Sequence, residues 1–134
     1  MSARSKARKR ALDVLYASEM RNRSTADALE EQSEAGQVND YTVELVNGVT
    51  EHRARLDEVI STYAQGWTLD RMPAVDRNVL RMATFEVLYV DDVPNAVAVS
   101  EALHLVRDLS TDDSPAFVNG VLGNIVRDRV KLAR

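Results

Sequence analysis

Apolar residues recur at three- and four-residue steps along most of the chain, and this spacing restricts the folds that the chain can adopt. The 134 residues include only five glycines and three prolines, which is too few for a β architecture built on tight turns. Alanine, leucine, glutamate and arginine, which favour helices, are abundant. We therefore predict an all-α protein, a compact helical domain of six or seven helices.

Capping residues and helix breakers divide the apolar pattern into segments. Ser24 lies three residues before Asp27, as in a capping box, and Ser114 precedes a proline that suits a first helical turn. The pattern weakens around His52 and Arg53, which indicates a bend. The predicted helices cover residues 5–21, 24–36, 39–66, 73–90, 95–108 and 114 onwards, with a short turn over 68–71. Two helical halves, about 1–66 and 67–134, are expected to share one core within a single domain.

Several classes of protein are excluded by what the sequence lacks. There is no cysteine, so disulfide bonds and thiolate metal sites are absent. No apolar run approaches the roughly 20 residues that span a bilayer, and no apolar block follows the charged N-terminus as in a secretory signal. These features predict a cytoplasmic protein that does not contact membranes.

The sequence contains no recognisable catalytic motif. His52 and His104 are far apart and belong to no metal-ligand pair, and no glycine-rich phosphate loop or nucleophile motif occurs. Capping explains the acidic run before Ser114 more simply than chemistry does. We predict a protein that is not an enzyme and that holds neither a metal nor a cofactor.

The most unusual feature is a cationic segment at the start of the first helix. It carries five positive charges and no negative charge before Asp13, in a chain whose net charge is −4. Cations at a helix N-terminus oppose the helix dipole, at a cost of roughly 0.3–1 kcal/mol each, so an anionic partner is expected. The charged residues are Arg4, Lys6, Arg8, Lys9 and Arg10.

Tyr16 indicates which polyanion this partner is. It lies seven residues after Lys9, about 20° away around a helix, so a base could stack on its ring while phosphates pair with the cations. Single-stranded RNA is therefore the predicted ligand. The alternative is a solvated tail, with Tyr16 in the core.

The last helix contains two glycines and a phenylalanine that need an explanation. Gly120 and Gly123 each cost about 1 kcal/mol in a helix interior, and close helix–helix approach is the predicted compensation. Phe117 stands at the helix start, where it could be a core residue or a stacking surface.

Four segments of the chain together form a recognisable pattern: ARKRALDVLYASE, WTLDRMPAVDRNVLRMATFEVLY, DVPNAVAVSEALHL and DDSPAFVNGVLGNI. They occur in order along essentially the whole sequence, and the last is the most specific. In these segments the chain resembles the NusB family of bacterial transcription antitermination factors. The resemblance implies an all-helical fold of two three-helix bundles.

The resemblance also implies a function and a set of partners. It implies binding of the boxA element of ribosomal RNA leader transcripts, jointly with NusE, a small-subunit ribosomal protein. The assembly would act on RNA polymerase elongation complexes and suppress premature termination. The RNA-binding residues carried over from the family are Arg4, Lys6, Arg8, Lys9, Arg10, Tyr16, Asp113 and Phe117.

The remaining site predictions concern the C-terminal half. Asn119 is expected to reach RNA or to cap a neighbouring helix, and NusE is expected to dock near Asp76 and Arg77. Asp113 should weaken RNA binding by repulsion. Two rival interpretations are a helical scaffold that binds only protein and an RNA-binding domain associated with an RNA methyltransferase. A homodimer that covers the basic segment also stays open.

Overall fold

The computed structural model describes residues 2–36 and 38–133, in which every regular element is helical. Eight α-helices are present in these residues, more than the six or seven predicted, because the segment 39–66 is divided at His52 and a four-residue helix follows the last predicted one. A 3-10 turn covers Leu69–Arg71, where a short turn was predicted. The helices are α1 (Ala3–Met20), α2 (Thr25–Ala35), α3 (Asp40–Glu51), α4 (Arg53–Tyr63), α5 (Ala74–Tyr89), α6 (Asn95–Leu109), α7 (Ser114–Arg127) and α8 (Arg129–Leu132).

The chain divides into two compact units, Met1–Glu51 and His52–Arg134. The first contains α1 to α3 and the second contains α4 to α8. This division falls earlier than the boundary predicted near residue 66, because α4 packs against α5 and α7.

In the first unit, α1 packs against both α2 and α3. Its buried face presents small and aliphatic side chains such as Ala11 and Val14. The hydroxyl of Thr42 on α3 donates a hydrogen bond of 3.0 Å to the carbonyl oxygen of Ala7, which fixes α3 against the start of α1. As predicted, Ser24 caps α2, and its hydroxyl accepts a bond from the amide of Asp27 at 3.0 Å.

In the second unit, α5 is buried on almost every side and packs against α4, α6 and α7. Its core residues include Val79, Leu80 and Val87. Arg81 is only 5% exposed, and its Nε and Nη2 donate to the two carboxylate oxygens of Asp57 on α4 at 2.7 and 3.1 Å. This two-pronged contact joins α4 to α5.

The glycines of α7 are not buried. Gly120 and Gly123 are both exposed, and a Cβ atom added at either would meet nothing within 4 Å. The prediction that these glycines permit close packing with another helix of the chain is therefore wrong.

A polar cluster lies where α7 ends. The hydroxyl of Tyr63 donates to Asp128 Oδ2 at 2.6 Å, and Nε of Arg127 donates to Asp128 Oδ1 at 3.1 Å. The hydrogen bond from Arg127, with that from Tyr63, lowers the pKa of Asp128 from 3.8 to about 2. The folded chain therefore stabilises the ionised form of the Asp128 carboxylate.

This pKa shift predicts a specific dependence of stability on pH. Because the pKa is lower in the folded state, the contribution of Asp128 is complete above about pH 5 and is lost as the pH falls through the folded pKa of about 2. Asp128→Asn is therefore expected to be less stable than the native chain at pH 5, and the difference should shrink steadily as the pH falls below about 4. Urea unfolding at a series of pH values measures this, and a constant difference across the range would contradict it.

Candidate functional site

The basic segment forms the first turns of α1. The helix starts at Ala3, two residues earlier than predicted, and the hydroxyl of Ser2 accepts a hydrogen bond from the amide of Ser5 at 3.0 Å. No acidic residue lies in this first turn. The cations thus stand beside the positive end of the helix dipole, where an anion is stabilised.

Two of the cations point towards the interior of the first unit. The guanidinium groups of Arg4 and Arg8 lie 4.3 and 5.6 Å from the centre of the Tyr41 ring, within the range of cation–π attraction. Arg8 is only 3% exposed, because it shares the buried face of α1 with Ala7 and Ala11. Arg8 is thus packed inside the first unit, and its contact with phosphate stays a prediction.

The other three cations form an outward surface, which we call the basic face: Lys6, Lys9 and Arg10. Lys6 is exposed, Nζ of Lys9 contacts the carboxylate of Asp13 at 2.8 and 3.0 Å, and Nη1 of Arg10 donates to the side chain of Gln32 at 3.4 Å. Such partly exposed pairs contribute about 0–1 kcal/mol. A phosphate group could therefore replace Asp13 and Gln32 as the partner of these cations.

Tyr16 shares the side of α1 that carries the basic face. At about 100° per residue, Tyr16 and the three cations fall within an arc of roughly 120°. The tyrosine ring is 40% exposed, so it is not the core residue of the alternative interpretation. The first unit thus places a stacking surface beside three cations.

A second candidate site lies in the second unit, where Trp67 and Phe117 meet. Their ring centres are 6.1 Å apart, with the ring planes tilted by 57°. Trp67 is 52% exposed and Phe117 is half-buried, which answers the question left open for Phe117. We call the space around them the aromatic cleft. Its volume is about 540 Å³ and it is lined by Trp67, Arg71, Met72, Pro73, Asp76, Thr111, Asp113, Ser114 and Phe117.

From the sequence alone, Trp67 was not predicted to be a site residue. It is the only tryptophan of the chain, and it follows Gly66, whose φ of 83° lies in the left-handed region that favours glycine. These two facts mark an unusual turn. Its partner Phe117, however, is 50 residues away and could not be identified from spacing.

Asp76 is a structural residue at the base of the aromatic cleft. Only 2% of it is exposed, and its carboxylate accepts hydrogen bonds from Ser110 Oγ at 2.6 Å and Ser114 Oγ at 2.9 Å. The Asp76 side chain is thus held inside the unit, and its contact with a partner protein stays a prediction. Asp113 stands at the N-cap position of α7 but makes no side-chain capping hydrogen bond, and the hydroxyl of Ser114 donates to Asp76.

The remaining predicted residues differ in accessibility. Nη1 of Arg77 donates to the carbonyl oxygens of Leu69 and Met72 at 2.8 and 3.0 Å, so Arg77 holds the 3-10 turn that follows Trp67. Asp113 is exposed at the cleft and Asn119 is exposed on α7. The structure therefore brings Asp76, Asp113 and Phe117 together in one cleft, while Arg77 supports it.

Residues 2–36 and 38–133 contain neither a candidate metal site nor a membrane-spanning helix. No group of three or more His, Asp or Glu side chains there could hold a metal ion. None of the helices in this part of the chain is both long enough and apolar enough to cross a membrane.

Comparison with known proteins identifies the family. The model of the NusB family matches residues 5–127. The transcription antitermination protein NusB of Nocardioides sp. is 64% identical, and the alignment covers 99% of this chain and 100% of that protein. The protein of the same name from Arthrobacter sp. is 57% identical, with 93% of each chain covered.

Solved structures agree with the sequence comparison. NusB of T. maritima superimposes with a TM-score of 0.86 at 30% identity, covering 96% of this chain and 93% of that one. NusB in a complex of the antitermination factors NusB and NusE with double-stranded RNA has a TM-score of 0.82 at 26% identity, covering 92% and 96%. The all-α fold predicted from the sequence is confirmed, and this chain belongs to the NusB family.

Proposed function

We propose that this chain is a non-enzymatic transcription antitermination factor. It binds the boxA element of ribosomal RNA leader transcripts together with NusE, and the assembly acts on RNA polymerase elongation complexes. The names of its relatives support a role in antitermination, and the solved complex of NusB and NusE with double-stranded RNA supports joint RNA binding with NusE. The observation that carries it is the basic face beside the exposed Tyr16.

The basic face would supply most of the affinity for RNA. Neutralising phosphates with cations releases counterions, which makes binding depend steeply on salt. The body of the chain is acidic overall, so the attraction is local to the start of α1. A long duplex would require a wider positive surface, and we therefore propose that the RNA segment bound here is single-stranded.

The aromatic cleft would hold an unstacked base. Trp67 offers an exposed ring and Phe117 lies against it, while the exposed Arg71 lines the same space and could pair with a phosphate. Single-stranded RNA is recognised in this way by aromatic side chains flanked by cations. NusE would dock near the start of α5, a region whose shape Asp76 and Arg77 maintain from within.

Removing the exposed ring should weaken RNA binding. Trp67→Ala is expected to reduce the affinity for boxA RNA by roughly 5- to 150-fold, because stacking of one base contributes about 1–3 kcal/mol. Fluorescence anisotropy with labelled RNA measures this. Tyr89→Ala is the matched control, since Tyr89 is also an exposed aromatic residue, at 41%, and lies outside the cleft. Equal losses in both variants would exclude a role of the cleft.

Asp113 should oppose RNA binding by repulsion. Asp113→Asn is expected to tighten binding by roughly threefold, since two unit charges about 6 Å apart in water interact with about 0.7 kcal/mol. Asp112→Asn is the control, because Asp112 is an exposed neighbour that does not line the aromatic cleft. Weaker binding by Asp113→Asn would show that RNA does not pass this residue.

A further inference from the structure

A second concave surface lies between α6 and α7, outside the aromatic cleft. We call it the α6–α7 groove. Its volume is about 600 Å³ and its lining is largely apolar. None of its residues belongs to the basic face or to the aromatic cleft. The lining consists of Asn95, Ala96, Val99, Ser100, Leu103, His104, Arg107, Gly123 and Val126.

The groove follows α6 over most of its length. The lining residues of α6 follow one another at alternating steps of one and three residues and form a single stripe from Asn95 to Arg107. At 1.5 Å per residue this stripe is about 18 Å long. Amphipathic helices dock in such grooves through apolar residues spaced by three and four.

Gly123 leaves room for close approach from outside. It lines the groove in the interior of α7, where glycine is unfavourable compared with alanine. A Cβ atom at this position would meet nothing within 4 Å, so no packing within the described residues accounts for the glycine. A partner backbone could lie directly against it.

The charge of the groove indicates which charge a partner should carry. The whole chain has 21 acidic and 17 basic residues, yet no carboxylate lines the groove. Arg107 is the one formally charged lining residue; it is exposed, and it makes no ion pair with any residue in the ranges 2–36 and 38–133. A carboxylate on the partner would complement it.

We propose that the α6–α7 groove docks one amphipathic helix of a partner protein. This helix presents apolar side chains at three- and four-residue steps to Val99, Leu103 and Val126. It carries an aspartate or glutamate at the end that meets Arg107. The proposal goes beyond the binding of RNA, which uses other surfaces of the chain.

The test uses the full chain, labelled with ¹⁵N, and two synthetic helical peptides of 14 residues. Both peptides have leucines along one face, and they differ only in a terminal glutamate or lysine. In NMR titrations the glutamate peptide should shift the amide signals of Leu103 and Gly123 saturably, and the lysine peptide should bind at least tenfold more weakly. In Arg107→Glu the preference should be reversed.

A matched pair of glycine variants distinguishes a loss of peptide docking from a loss of folding. Gly123→Leu should fill the groove and reduce binding of the glutamate peptide at least tenfold. Gly120→Leu makes the same change one turn away, outside the lining, and should bind like the native chain. Both should retain native RNA affinity, which keeps this test independent of the proposed function.

Three results would overturn the proposal. The first is that neither peptide shifts the groove signals, and the second is that Gly123→Leu binds the glutamate peptide as tightly as Gly120→Leu does. The third is that sedimentation equilibrium shows a dimer of the native chain that Gly123→Leu abolishes. In that case the groove is occupied by a second copy of this chain.

Discussion

Replacing Asp76 by alanine is expected to lower the free energy of unfolding by roughly 3 kcal/mol, since hydrogen bonds to a charged group contribute about 1.5–3 kcal/mol each. The buried carboxylate accepts two of them, from Ser110 and Ser114. Without it, neither hydroxyl bonds to a carboxylate on α5, and the loop between α6 and α7 is no longer fixed to that helix.

Urea unfolding followed by circular dichroism measures this effect. Asp112→Ala is the control, because it removes an exposed carboxylate from the same loop and should change stability by less than about 0.5 kcal/mol. Asp76→Asn keeps one acceptor oxygen and should fall between the two. A loss below about 1 kcal/mol in Asp76→Ala would show that the carboxylate does not hold the loop.

Replacing the three residues of the basic face by alanine is expected to weaken boxA RNA binding by roughly 100-fold at 0.1 M salt. Each contact with a single-strand phosphate contributes about 0.7 to the slope of log affinity against log salt, so three contacts contribute about 2. Over the decade between 0.1 and 1 M salt this corresponds to a factor of about 100. The slope itself should become shallower by about 2.

Two controls distinguish the effect of the basic face from a general effect of net charge and from an effect on folding. The triple variant Arg107→Ala, Arg127→Ala and Lys131→Ala removes the same charge from α6, α7 and α8 and should bind RNA within about twofold of the native chain. Arg8→Met should lower stability, because Arg8 is buried against Tyr41. An unchanged salt slope in the basic-face variant would exclude these residues as the phosphate-binding surface.

Periodicity predicted the helices well, and helical spacing also explains which cations point inwards. At about 100° per residue, Arg4 and Arg8 fall on the side of α1 opposite to the basic face, and the structure places both over Tyr41. The interruption at His52 was predicted only as a bend, because no proline or glycine marks it. The ring of His52 stacks on that of Tyr89 with centres 4.0 Å apart, a contact between residues distant in sequence.

The candidate site was less predictable because its key contacts are long-range. The burial of Asp76 depends on hydroxyls 34 and 38 residues further along the chain. The aromatic cleft likewise depends on Trp67 meeting Phe117. Residue types alone could identify Phe117 as an unusual helix-start residue, but only the folded unit shows that it faces a cleft.

The central claim is that this chain binds single-stranded boxA RNA and that NusE strengthens this binding. The most direct test is an RNA titration of the native chain with and without NusE. It uses a boxA strand, a scrambled strand of equal length and a boxA duplex. We expect the boxA strand to bind most tightly and NusE to increase its affinity at least tenfold, because two linked weak sites act as one strong site. Equal affinity for all three RNAs, unchanged by NusE, would contradict the account.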